Sequence, residues 1–427
     1  MRSRGCSGLV ASAVVGAILL TGCGTGRDQA RLADWLAEQP YGTASGVEVV
    51  TDRLFGLTDR LEATIKVPDE LTEDLVVDAS RDLGRRKGKV DWVVSLDDGT
   101  HEVEVINDRD SGRTIARNYR ALNRLPDASG ISSQVEHDQH DVTVHAPRDK
   151  VVGLLEPARA AVESARSVTV QGGGLQVLID EDNPRPSEAI KVADALQDHG
   201  RVSIEAGHQL QELTVQPQDQ GEVGPAQEQI RGSVPASWRV TMRLGTLRLA
   251  NRDADATALW PLGQIAGVES ASYDERALYV RTKSVETTEQ VLRALPPLDD
   301  EVQVGSTGCG VHGDLRRLRD PVGDLTWCGT AGLGTVRIGS DHALLHRGHG
   351  ASWQEYARAV RSRNWEGERR LRTCLQQSCV SFTSTARGRA RIEQVIPGSS
   401  QRPSASPTPG STDWVEDFVQ GWDSTAG

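Results

Sequence analysis

The sequence predicts an α+β protein built from tandem ferredoxin-like (βαββαβ-type) modules, followed by a small disulfide-stapled region and a disordered tail. Three observations lead to this prediction. Segments with strand and helix periodicity alternate along most of the 427 residues. Their order recurs three times between residues 47 and 305. The cysteines that follow residue 23 are confined to residues 309–379, and a Pro/Ser-rich stretch comes after them.

Composition limits the class of protein. Hydrophobic residues make up 37% of the chain, and its 43 glycines bring the apolar share close to that of globular proteins. These values exclude a wholly disordered chain and a protein with many membrane spans. Six cysteines are too few for a small disulfide-rich scaffold of this length. The length suggests about three domains.

Residues 1–22 have the pattern of a signal peptide. Arg2 and Arg4 precede an apolar stretch, Gly8–Thr21, that is too short to cross a bilayer. The stretch leads into Leu20–Cys23 (Leu-Thr-Gly-Cys), which resembles the lipobox of bacterial lipoproteins. The resemblance implies cleavage before Cys23, a diacylglyceryl group on its thiol, an added acyl chain such as palmitate, and attachment to the outer face of the cell membrane. The alternative is an ordinary secretory signal or an unprocessed helix.

The body begins with an anchor segment, residues 23–46, that contains a short helix with Leu32, Trp35 and Leu36 on one face. The first module, residues 47–137, is predicted as strand, helix, hairpin, helix and strand. Asp97-Asp98-Gly99 is a strong hairpin signal between its middle strands. The same order recurs in residues 138–207 and, more loosely, in residues 208–305.

Two landmarks align the three modules. The second hairpin strand ends at Ile106, Ile179 and Val280, which are separated by 73 and 101 residues. The following helix ends at Leu122, Leu196 and Leu295, separated by 74 and 99 residues. The similar offsets predict repetition of one unit, and the longer interval predicts an insertion in the third copy. The Gln/Gly/Pro-rich residues 216–232 are the expected insertion.

Residues 306–396 form an arginine-rich region that we expect to be stapled by disulfides. Residues 309–396 contain fourteen arginines, eight acidic residues and no lysine. An even number of cysteines in an extracytoplasmic protein favours disulfides, and three pairings of Cys309, Cys328, Cys374 and Cys379 are possible. The pairing with the shortest loops, Cys309 with Cys328 and Cys374 with Cys379, is the expected one.

A metal site in the same region is the rival interpretation. Its weak candidates are the nearby histidines: His312, His342, His346 and His349. The last three could share a helical face at i, i+4 and i+7, but the glycines at 348 and 350 argue against a helix there. We therefore expect no metal and no cofactor.

The chain ends in a Pro/Ser linker, residues 397–412, and an aromatic acidic tail, residues 413–427. Trp414, Phe418 and Trp422 recur every four residues and would share one helical face. Such a short helix is not stable alone in water. We expect the three aromatic residues to bind a partner, and the alternatives are docking on the protein's own body, for example on residues 309–396, or disorder.

No nucleophile elbow, dinucleotide fingerprint or nucleic-acid motif occurs in the sequence. The sequence therefore predicts a non-catalytic, lipid-anchored extracytoplasmic envelope protein. It would bind an envelope protein or wall component, but no nucleic acid, through its modules and its aromatic tail. One alternative is a wall-associated hydrolase or metal-dependent ligand-binding domain in residues 306–396, and another is a purely structural spacer.

Overall fold

A computed structural model gives the fold of most of the chain after residue 24. It describes the following residues: 25–40, 42–51, 58–86, 88–136, 139–162, 164–183, 185–274, 276–298, 300–307, 309–314, 333–338, 342–347, 350–361, 369–375, 378–384, 390–396 and 413–424. Within them the chain is a mixed α/β protein with ten helices. The helices are α1 (Thr25–Glu38), α2 (Glu73–Leu83), α3 (Arg109–Leu122), α4 (Val151–Ala161), α5 (Pro186–Leu196), α6 (Gln220–Ser233), α7 (Ala256–Gly263), α8 (Val285–Ala294), α9 (Trp353–Arg361) and α10 (Asp413–Asp423).

The strands alternate with these helices. They are β1 (Thr43–Ala44), β2 (Glu48–Thr51), β3 (Thr58–Lys66), β4 (Asp91–Asp97), β5 (Glu102–Ile106), β6 (Gly130–Glu136), β7 (Gln139–His145), β8 (Ser167–Gly172), β9 (Leu175–Asp180), β10 (Arg201–Ala206), β11 (Gln211–Gln216), β12 (Arg239–Leu244), β13 (Leu247–Leu249), β14 (Val268–Asp274), β15 (Ala277–Thr282), β16 (Glu301–Ser306), β17 (Cys309–Asp314), β18 (Leu333–Ile338), β19 (His342–Arg347), β20 (Arg369–Leu375), β21 (Ser378–Ser384) and β22 (Ala390–Ile396).

The chain divides into two compact units, Met1–Pro186 and Ser187–Gly427. In the first unit, β1 and β2 both pair antiparallel with β3, and β4 to β9 follow in chain order. Strands joined by a tight hairpin are antiparallel, and strands joined through a helix are parallel. Helices α2 and α3 pack side by side on one sheet face, where Arg120 Nε lies 2.7 Å from Glu73 Oε2.

The second unit continues the same rule. Strands β10 to β21 alternate antiparallel and parallel pairs in chain order, and β22 pairs antiparallel with β21. Helices α6 and α7 are neighbours on one face. The buried side chain of Gln227 in α6 joins them, because its Nε2 donates to the carbonyl of Ala254 and its Oε1 accepts from the amide of Ala256.

The repeated element is a single strand–helix–strand unit rather than a ferredoxin-like module. We measure its period between the first residues of successive strands that follow a hairpin turn, and it is 30 to 37 residues. These strands begin at Glu102, Gln139, Leu175, Gln211, Leu247, Ala277, Cys309 and His342. The offset of 73 residues found in the sequence therefore covers two repeats, and the offset of 101 covers three. Residues 216–232 are not an insertion, because most of them form α6.

The module prediction was wrong for a topological reason. In a ferredoxin-like unit the two parallel strands are split by another strand. Here β3 pairs directly with β4, and β15 pairs directly with β16, each along at least five residues. Local periodicity is the same in both arrangements. It therefore predicts the order of strands and helices, but it does not predict which strands are neighbours.

Helix α1 packs against the start of the first unit. Leu32, Trp35 and Leu36 are buried, as their shared face predicts. Trp35 Nε1 donates to Asp82 Oδ2 at 2.7 Å, and the buried carboxylate of Asp28 accepts from the amide of Lys89 at 2.5 Å. Since α1 begins two residues after Cys23, the body of the protein starts almost at the predicted lipidation site.

A buried histidine makes the first unit sensitive to acid. His140 of β7 is 5% exposed, and its Nε2 lies 2.6 Å from Asn118 Nδ2 of α3. The amide can donate to Nε2 only while that nitrogen is unprotonated. Burial lowers the pKa of His140, although the neighbouring carboxylate of Asp141 opposes the shift.

We expect stability of the first unit to fall as the pH drops below about 6.5, the ordinary histidine pKa of the unfolded chain. The folded pKa is lower, so the unfolded chain binds more protons in this range and acidification favours unfolding. Urea unfolding at pH 7.5 and 5.5 measures the effect. His140→Gln should reduce the change in the free energy of unfolding between the two pH values. Part of that change should remain, because burial also lowers the pKa of His145. An unchanged slope in this variant would contradict the assignment.

Candidate binding surface

The second unit carries a groove on the sheet face opposite its helices, lined by both polar and apolar residues. Residues alternate between the two faces along each strand: Leu278, Val280 and Thr282 of β15 are buried, whereas Tyr279 and Arg281 between them are exposed. The groove crosses strands β13 to β19 and encloses about 900 Å³. We call this surface the open face. A site there is built from strand residues, so the sheet holds its side chains in fixed register.

One row of polar residues runs through the groove and continues beyond its edge to Arg243 on β12. Each member is the register partner of the next on the neighbouring strand, so neighbours are one strand spacing apart, about 4.8 Å. From β12 to β17 this polar row consists of Arg243, Arg248, Ser272, Tyr279, Gln303 and His312. The ring of Tyr279 is 46% exposed, which is unusual for a large aromatic side chain without a covering element.

The charge of the polar row is positive at one end. Arg243 and Arg248 are exposed and directly opposite each other on antiparallel strands. Neither has an ion-pair or hydrogen-bond partner among the described residues. At the other end, His312 Nε2 lies 2.6 Å from Glu301 Oε1, and beside the row Arg281 Nε lies 2.9 Å from Glu269 Oε2. The two unpartnered guanidinium groups are therefore the free charges of the row.

Two glycines form the floor of the groove. Gly305 of β16 and Gly310 of β17 are register partners and line the groove. A Cβ at Gly305 would lie 2.7 Å from Gly310 Cα, so this position requires glycine. A Cβ at Gly310 would meet only atoms at 3.6 Å or beyond, an ordinary contact distance. The groove is deep here because no side chain fills it.

The structure locates part of the cysteine set. Cys309 of β17 is 1% exposed and is disulfide-bonded. Its expected partner, Cys328, lies outside the described residues, so that pairing stays a prediction. Cys374 and Cys379 are opposite each other in the antiparallel β20–β21 pair, a backbone separation that suits a disulfide. Their side chains are outside the described part of the structure, as is the predicted lipidation site, Cys23.

The histidines do not form the helical metal face that was weighed as an alternative. His342 and His346 lie in strand β19, and His349 is outside the described residues. The i, i+4, i+7 spacing converges only on a helix, which is why the pattern fails in a strand. His312 lies on β17, which is separated from β19 by β18, and its side chain is bonded to Glu301. Across the described residues, no three His, Cys, Asp or Glu side chains come together as a metal site.

The aromatic tail is docked on its own chain. The disordered-tail prediction is wrong for residues 413–424, where Trp414, Phe418 and Trp422 are 4%, 0% and 3% exposed. Trp414 stacks on Trp353 of α9 with ring centroids 4.5 Å apart, and Phe418 contacts Tyr356 at 5.7 Å. The helix runs from Asp413 to Asp423 and includes Gly421. The partner-binding residues predicted from sequence thus have an intramolecular partner in this structure.

Sequence reasoning missed the groove. Its signal was present in β15, where Ala-Leu-Tyr-Val-Arg-Thr alternates buried and exposed residues, but the exposed positions look like any solvated strand face. Only the pairing register brings Arg248, Tyr279 and Gln303 into one row. Register is a tertiary property, so a single strand cannot reveal it.

The function of the site has to be inferred from its own residues. The chain matches no protein-family model, no curated protein and no solved structure. Within the described residues, no helix combines the length and apolarity needed to cross a membrane.

Proposed function

We propose that this protein is a non-catalytic binding protein, lipid-anchored on the outer face of the cell membrane, which holds an envelope component on the open face of its second unit. The single observation that carries the proposal is the polar row, which combines Arg248 and the exposed ring of Tyr279 in a ligand-sized groove with a second arginine, Arg243, beside it, and neither arginine has a partner among the described residues. Aromatic and charged side chains exposed together are typical of binding surfaces.

The make-up of the groove favours binding over hydrolysis. Glycoside hydrolysis ordinarily needs a pair of Asp or Glu side chains across the scissile bond. No carboxylate lines the groove within the described part of the chain, and the nearest acids, Glu269 and Glu301, are engaged with Arg281 and His312. The arrangement can hold a ligand through charge, hydrogen bonds and stacking, and the described residues that line it include no pair of carboxylates for glycoside hydrolysis.

The position of α1 supports the anchoring half of the proposal. A chain acylated at Cys23 would have one residue, Gly24, between the lipidated cysteine and a helix that is fixed to the body through Trp35 and Asp82. Two or three acyl chains anchor a protein stably, since each buried methylene contributes about 0.8 kcal/mol. The binding body would therefore be held close to the membrane surface.

Replacing the predicted lipidation site should release the protein from the membrane. We expect Cys23→Ala to abolish lipid labelling and to remove most of the protein from the membrane fraction, either by secretion or by retention of the uncleaved precursor. Labelling with a radioactive or alkyne-bearing fatty acid, followed by fractionation, measures both effects. Cys309→Ala is the matched control, because it should leave labelling intact. Equal labelling of the Cys23→Ala variant would reject the anchor.

A further inference from the structure

We propose that the polar row is a subsite for an anionic glycan, a sugar polymer with carboxylate groups, laid across the strands. The inference rests on the proposed function and adds the chemical class of the ligand. The two arginines at one end would bind carboxylates, the exposed ring of Tyr279 would stack on a sugar face, and Ser272 and Gln303 would bond to hydroxyl groups.

The arginine pair is the strongest evidence for an anion. Like charges directly opposite on neighbouring strands destabilise a sheet. Arg243 and Arg248 face each other in this way, and no acidic residue in the described chain is paired with either of them. Elsewhere on the same sheet a strand arginine does have an acidic partner, as Arg239 does in Glu212 across β11 and β12, with Nη1 2.7 Å from Oε1. An anionic ligand between the two guanidinium groups would remove the repulsion.

The shape of the site favours a polymer over a small molecule. The polar row extends over six strands, so its ends are about five strand spacings, ~24 Å, apart. Small-molecule sites instead enclose most of the ligand surface. Polar groups recurring once per strand spacing suit a ligand with hydroxyl groups that repeat along its length. The glycine floor at Gly305 and Gly310 lets such a chain approach the backbone.

The test compares binding of the full mature protein to polygalacturonate with binding to neutral dextran, to poly-glutamate of matched charge, and to phosphatidylglycerol vesicles. We expect polygalacturonate to bind at least tenfold more tightly than each of the others. Arg248→Ala should weaken it at least tenfold without lowering Tm, because a like-charge pair is removed. Gly310→Leu should also block binding, since the added side chain is sterically allowed at its Cβ and projects into the groove.

Arg201→Ala is the matched control, an exposed arginine on β10 that does not line the groove, and it should bind within twofold of the parent. Equal loss in the Arg201 and Arg248 variants, or equal binding of poly-glutamate or vesicles, would overturn the glycan assignment. Co-sedimentation with delipidated envelope distinguishes failure of the glycan assignment from failure of the proposed function. If the parent and Arg248→Ala both co-sediment, the glycan subsite is wrong but envelope binding stands. If neither does, the proposed function fails as well.

Discussion

Replacing Phe418 with alanine should destabilise the end of the second unit by about 3 to 5 kcal/mol, the usual cost of removing a buried aromatic side chain. Phe418 is fully buried and lies between Tyr356 of α9 and Trp422 of its own helix, with ring centroids 5.7 and 5.6 Å away. The hydroxyl group of Tyr356 bonds to Thr373 Oγ1 of β20 at 2.9 Å, which connects the aromatic cluster to the sheet. Losing the ring should loosen α10 first and α9 next.

Hydrogen exchange of α9 and α10, with urea unfolding of the whole chain, would measure the loss. Asp417→Ala changes an exposed neighbour in the same helix and should stay within about 0.5 kcal/mol of the parent. Gly421→Ala tests the contact by another route, because a Cβ there would lie 2.4 Å from Gln354 Cα and force the helices apart. If both core variants behave like Asp417→Ala, α10 is not docked on α9 in solution.

This result would also bear on how the ends of a repeat array are protected. Each strand–helix unit buries its apolar face partly on its neighbours, so terminal units need an additional covering element. Trp35 on α1 covers part of the first unit, and the aromatic cluster on α10 covers α9 in the second. The spacing of Trp414, Phe418 and Trp422 predicted a helix with one apolar face, and that helix is present. What the spacing could not predict is the identity of the surface it covers.

The order of elements was predictable because hydrophobic periodicity is local. Asp97-Asp98-Gly99 marked a hairpin, and β4 and β5 are its two antiparallel strands. Helix α4 runs from Val151 to Ala161 and contains Pro157, although proline disfavours a helix interior. Gly-rich and Gln-rich α6 was mistaken for an insertion because its helix propensity is low. Packing of Val223, Ala226 and Ile230 into the core outweighs that low propensity.

The groove is only partly local. Gly305 faces Gly310, and Arg243 faces Arg248, across tight hairpin turns. The complete row is not local, because Arg248 meets Ser272, and Tyr279 meets Gln303, between parallel strands that are joined through a helix. The even number of cysteines after residue 23 predicted that Cys309 forms a disulfide, but it did not determine the partner. Binding surfaces on sheets depend on register, and register is fixed by the complete fold.

Arg252 should be the most important charged residue for the stability of the second unit. Its guanidinium group lies in the loop between β13 and α7 and donates to three backbone carbonyls that follow α6. They belong to Val234, Pro235 and Trp238, at 3.3, 2.9 and 2.6 Å. Its own carbonyl accepts from Gln227 Nε2 at 3.3 Å. Arg252 therefore connects two repeats both as a donor and as an acceptor.

We expect Arg252→Ala to reduce the free energy of unfolding by about 3 kcal/mol, because each hydrogen bond from a charged group contributes about 1.5 to 3 kcal/mol and this site is partly open to solvent. Arg252→Lys should recover little, since an ammonium group lacks the planar fork that reaches three carbonyls together. Arg252→Met keeps the apolar stem and separates packing from hydrogen bonding. Urea unfolding measures all three variants, with Arg201→Ala as the exposed control. Full recovery by methionine would show that Arg252 acts through its stem and not through the three carbonyls.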